Sequence, residues 1–209
     1  MPKFPPPPPP LVLASSTPAE IVALTRVTVL WRLYETSGPH RRQWNQFRHF
    51  GPLSTGRFDH HVPPASEQSR AVLYAGLSVR TGVAEVFQHT RVIDPVRRGV
   101  WLVGFRLTRE LRLLDLSGVW PTRAGASQAI SSGRRQQSRA WARAIYAAYP
   151  SVEGLWYRSS MDGGRPAVAL NERAEKAVAP RPEVHLPLSH PGLAVPLARI
   201  GRTLGYLLV

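Results

Sequence analysis

The sequence predicts a single α+β domain of mixed β-sheets with flanking helices, and three observations lead there. Its 209 residues are the size of one ordinary domain, enough to bury a continuous apolar core. The composition, 43% hydrophobic and 19% charged, is that of a globular chain rather than a disordered one. Strand-like and helix-like stretches succeed one another without the regular alternation of a doubly wound sheet.

Residues 1–14 hold an unbroken run from Pro5 to Pro10, read as a stiff extended arm with no role in the core, and residues 15–209 form the domain. Residues 26–34, RVTVLWRLY, alternate apolar or β-branched with polar side chains, the period of a half-buried strand that contains Arg32. Residues 35–67 are rich in Gly, Pro, His, Arg and Ser and read as a long loop, the kind that lines or covers a site. Residues 72–76 read as a short buried strand. Ser78 then caps a helix running to about residue 90, whose stripe of Val83, Val86 and Phe87 has Glu85 beside it. Residues 99–107 and 111–116 are further strands. A packing helix spans about 134–149, where Ala140, Trp141, Ala144, Ile145 and Ala148 recur at helical spacing before Pro150. Residues 154–160 and 167–171 form a hairpin about the turn Met161-Asp162-Gly163-Gly164, and the final LGYLLV closes the core after a proline-bearing stretch over 180–196.

Composition removes several functions. There is no cysteine, so disulfides, thiol nucleophiles and cysteine-ligated metals are excluded. The proline-broken start is too short in apolar residues for a signal peptide, and no window approaches the roughly 18 apolar residues of a membrane span, so a cytoplasmic protein without a membrane partner is expected. Lys and Arg number 27 against 13 acidic residues, a net charge of +14 carried almost entirely by arginine. Such a field attracts polyanions, acidic proteins and phosphate-bearing small molecules alike. Guanidinium forks suit phosphate better than lysine's point charge.

Walker, GxGxxG, HExxH and GxSxG motifs are absent. The Asp59-His60-His61 run is a weak metal motif, since neighbours in an extended segment point to opposite faces, and no metal is expected. What remains are arginines in strand or loop, one acid in an apolar helix and a serine pair at a strand end.

Those residues lie in WRLY (Arg32), STGRF (Arg57), VLYAG (Tyr74), AEVF (Glu85), GLWYRSS (Ser159) and AVALNER, over residues 27–173. Six blocks in this order resemble the RES domain. The resemblance implies an ADP-ribosyltransferase-like fold, a toxin that degrades NAD by hydrolysis or phosphorolysis, and an Xre-type antitoxin that neutralises it. It implies no cofactor beyond NAD as substrate, with phosphate as a potential co-substrate, and nucleic acid reached only through the antitoxin. It leaves room for a homo-oligomer. Asn171 departs from the pattern, where an aromatic residue is common, and is not assigned.

Within that reading each residue has a chemical part. Nicotinamide leaves as a neutral group, and the ribose carbon it leaves gains oxocarbenium character that a poorly screened carboxylate, Glu85, would stabilise. Arg32 and Arg57 would grip the pyrophosphate, Arg32 also serving catalysis. Tyr74 would stack on nicotinamide or bond the ribose, ordinary core packing being the alternative. Ser159 would position nicotinamide or a ribose oxygen, Ser160 being the alternative. Protein ADP-ribosylation using NAD is the competing activity. A basic nucleic-acid-binding module ranks lower, because the arginines are spread through loops and strands.

Overall fold

The computed structural model describes residues 4–37, 41 and 43–209. Residues 1–3 of the arm, and 38–40 and 42 of the expected loop, lie outside the described residues. A short helix α1 (Pro10–Ser16) leads to strands β1 (Ile21–Leu24) and β2 (Leu30–Glu35). Strands β3 (Arg48–Gly51) and β4 (Ser66–Gly76) follow, then helix α2 (Val79–Val86) and strand β5 (Val92–Ile93). Next come β6 (Val100–Phe105), β7 (Leu111–Asp115) and helices α3 (Trp120–Arg123), α4 (Ala129–Ser132) and α5 (Arg135–Ala148). The last elements are β8 (Gly154–Arg158), β9 (Pro166–Asn171), β10 (Val184–Pro187), α6 (Ala194–Leu204) and β11 (Leu207–Leu208).

Among the described residues a nine-stranded sheet runs in the order β1-β7-β8-β9-β4-β2-β6-β10, with β3 added along β4. Only β7 and β8 pair in parallel within it, and β5 and β11 make a small parallel pair of their own. This is the expected mixed α+β architecture. Strand alternation sorts the core: Val72, Leu114 and Ala169 pack with Trp141 and Ile145 of α5, whereas Leu73, Leu113 and Leu170 join Phe105 on the other face. Helices α2 and α6 bury Val83 and Leu197 against Leu33 and Leu102 in a third cluster. The β8–β9 hairpin forms as read, and its turn uses Gly163 and Gly164 at φ of 57° and 78°, where a side chain would be strained.

Six expectations from the sequence are corrected by the structure. The proline-rich arm does have a role in the core: Leu13 is fully buried, and Phe4 packs on the cluster around Trp141. The expected loop over 35–67 contains β3, a strand too short and too polar to show alternation, which exists through its pairing with β4. Strand β4 starts at Ser66 rather than residue 72, its first half being exposed and polar and therefore silent as a buried pattern. Helix α2 is capped by Ser78, whose Oγ accepts the Thr81 N–H, but ends at Val86 rather than near residue 90. The proline-bearing stretch hides β10, an edge strand on β6, and the start of α6. At the C-terminal end Tyr206 is buried while Leu207 and Val209 are exposed, so LGYLLV closes the core only in part.

Candidate active site

The sheet is weakest between β2 and β4, which pair only through Trp31 and Gly76. Arg32 faces the side of its register partner Val103, and Tyr74 the side of Ala169, yet both line one cavity of about 440 Å³ that opens where the strands part. That volume lies in the range of ligand pockets, roughly 300–1,000 Å³. Its charged lining is four arginines, Arg32, Arg48, Arg57 and Arg135, against two acids, Glu35 and Glu85. The balance suits an anionic ligand that keeps one acid close to its reacting part.

Glu85 reaches the cavity from α2, and the Ser159 hydroxyl donates to its Oε1 at 2.6 Å. Burial raises the Glu85 carboxyl above the ordinary glutamate value, while Ser159, Arg57 and Arg135 partly offset this. The pair is held from behind. Asp162, buried in the β8–β9 turn, accepts from Arg80 Nε at 2.7 Å and Thr81 Oγ1 at 2.8 Å, which ties α2 to the segment carrying Ser159. Ser159 itself is fully buried and also accepts the Met161 N–H, so its hydroxyl meets Glu85 rather than the open cavity. The wall beside it is Ser160.

Arg32 is largely buried, and its Nη1 donates to the carbonyls of Trp44 (2.8 Å) and Gln46 (3.2 Å). Arg57 extends from the loop after β3, donating through Nη1 to Gly133 O at 2.6 Å and Ser138 Oγ at 3.4 Å. Burial lowers the Arg57 pKa, the nearby Arg135 adds to this, and Glu85 opposes it. A guanidinium stays charged under such shifts. The Tyr74 hydroxyl accepts the Phe58 N–H at 3.0 Å, which fixes the residue after Arg57, and burial keeps the phenol neutral.

The Asp59-His60-His61 run serves structure. Asp59 is fully buried, accepts from Arg48 Nη2 at 2.6 Å and the Leu53 N–H at 2.8 Å, and contacts His61 Nδ1. Burial works against its ionisation, but those partners hold the carboxyl well below the usual range. His60 turns away to Glu172, 3.3 Å from its carboxylate, as the alternation of an extended segment requires.

Arg48 and Arg135 were missed. Arg135 opens α5, lines the cavity and donates to Gln88 Oε1 at 2.7 Å. Helix α5 therefore does more than pack. A signal existed: arginines at 134 and 135 face the positive end of a helix dipole, an unfavourable position that an anionic ligand would relieve.

An α+β domain whose mixed sheet opens into a cleft lined by a half-buried acid, Glu85, and several guanidinium groups is the class of protein defined thus far. Residues 29–189 match the RES domain, and the chain belongs to the RES domain family. It shares its fold with a chain of the M.tuberculosis MbcT-MbcA toxin-antitoxin complex, at a TM-score of 0.53 and 14% identity over 88% of this chain and 91% of that one. No curated protein matches the sequence. Among the described residues no helix is long and apolar enough to cross a membrane.

Proposed function

We propose that this chain cleaves the bond between nicotinamide and ribose in NAD, by hydrolysis or phosphorolysis, as the toxin of a toxin–antitoxin pair acting in the cytoplasm. The observation that carries the reading is Glu85, a carboxylate held by Ser159 at 2.6 Å within a cavity that Arg32 and Arg57 also line. Arg32 and Arg57 grip the pyrophosphate, which places the nicotinamide ribose toward α2. The C–N electron pair leaves with nicotinamide, neutralising its ring, and Glu85 stabilises the positive charge left on the ribose carbon. Water or inorganic phosphate then forms the new bond at that carbon, losing a proton to solvent. Ser159 orients Glu85, and Tyr74 bounds the ribose end. NAD is thus a substrate, and no other cofactor is needed. The likeness to a chain from a toxin–antitoxin complex supports a protein antitoxin, for which an Xre-type partner is the family expectation.

Incubating purified, partner-free protein with NAD and following products by mass spectrometry tests this. Nicotinamide with ADP-ribose marks hydrolysis, and phosphate-dependent ADP-ribose 1-phosphate marks phosphorolysis. A mass gain on a protein would put transferase activity in their place. A folded preparation giving none of these would overturn the proposal.

A further inference from the structure

The carbonyl that holds Arg57 belongs to Gly133, at the junction of α4 and α5, and the same junction places Arg135 in the cavity. Gly133 has φ −75° and ψ −162°, and lacking a side chain it is a soft point in the backbone. On its other side sits the proline-rich arm. A Cβ at residue 133 would lie 3.1 Å from Phe4 Cδ1 and 3.4 Å from its Cε1, so the ring rests directly on the glycine.

The arm is fixed beyond this contact. The Pro5 carbonyl accepts the indole N–H of Trp141 at 2.8 Å, and Trp141 is fully buried on α5. Farther along, Leu13 is buried, and the Tyr149 hydroxyl donates to Thr17 O at 2.6 Å. The prolines between these anchors have little conformational freedom to lose, so a few contacts suffice to hold the segment against α5.

We infer that Phe4 is a positioning residue: by clamping Gly133 it aims the carbonyl that orients Arg57 and sets the place of Arg135. The proline-rich arm is then part of the anion-binding apparatus rather than a tail. The inference rests on the proposed role of Arg57 in holding the pyrophosphate of NAD.

Its test is the full chain carrying Phe4→Ala or Phe4→Leu, assayed for NAD turnover and for the Arg57 Nε–H resonance in nitrogen-15 NMR. Misplacing a binding group should raise KM for NAD by about tenfold with kcat changed by less than about twofold. Phe4→Leu, which keeps an apolar cover on Gly133, should recover most of the difference. The Arg57 resonance should shift in Phe4→Ala without any ligand. A lower Tm with unchanged KM and an unmoved Arg57 signal would overturn the inference, leaving the arm a stability element alone. If Phe4→Ala does not fold, Phe4→Val is judged by the same two readouts. Should the unmodified chain prove inactive on NAD, the functional proposal fails, and the NMR shift still decides whether Phe4 positions Arg57.

Discussion

Replacing Glu85 by glutamine removes one negative charge and little else. The side chain keeps its length, and its amide oxygen can still accept from the Ser159 hydroxyl that now lies 2.6 Å from Oε1. A full positive charge about 4 Å from the carboxylate, at an effective dielectric of about 20, is stabilised by about 4 kcal/mol. That corresponds to about a thousandfold in rate as an upper bound, because the nicotinamide ring of bound NAD is already cationic; kcat for nicotinamide release should fall by more than about tenfold and up to about a thousandfold, and affinity for NAD should weaken as well. Stability should move the other way. Burial raises the folded-state pKa of Glu85, so its favourable contribution is present below the unfolded value and lost as pH rises through the folded one. At neutral pH Glu85→Gln should therefore have the higher Tm, with the gap closing in acid. Chromatographic quantification of nicotinamide and thermal melts across pH provide both readouts. A folded Glu85→Gln protein with kcat within about tenfold of the parent would refute the assignment of charge stabilisation to this residue.

Three more perturbations follow from the same geometry. Ser159→Ala removes a hydrogen bond that lowers the Glu85 pKa, so the acid limb of the kcat–pH profile should move to higher pH and kcat fall by about tenfold; an unmoved limb would detach Ser159 from Glu85. Arg57→Lys replaces a planar fork by a point charge and should raise KM for NAD about ten- to hundredfold in steady-state assays, with kcat less affected; an unchanged KM would remove Arg57 from the binding site. At Glu172 burial favours protonation, yet His60, the Tyr146 hydroxyl and the Ala71 N–H hold its carboxyl at about 2. Its contribution is thus present above 4.5 and lost as pH falls toward about 2. Denaturant titrations should show Glu172→Gln less stable at neutral pH by about 1–3 kcal/mol, with the difference gone in strong acid; parallel loss in both proteins would contradict this.

Much of the fold could be read from local pattern. Strands β6 and β7, helix α5 and the β8–β9 hairpin carry period or turn signals in their own residues, and the six ordered blocks pointed to the RES domain, the family to which the chain belongs. Glu85 stands beside an apolar helical stripe, a pattern that a solvated helix glutamate also gives, and it is the AEVF block of the RES resemblance that singles it out. The rest depends on contacts between distant positions. Strand β3 needs β4, Phe4 meets Gly133, and Arg57 finds the Gly133 carbonyl 76 residues along the chain. Ser159 and Ser160 look equivalent in sequence, but the turn buries one against Glu85 and leaves the other beside the cavity. Arg135 carries a local signal, a cation at a helix N-terminus, but its place in the cavity emerges only once α5 is docked.

The structure of the Glu85→Gln protein with NAD bound would examine the central claim most directly. The pyrophosphate should lie between Arg32 and Arg57, with the nicotinamide ribose carbon within reach of residue 85. Dinucleotide density outside this cleft, or NAD bound with its ribose turned away from α2, would contradict it.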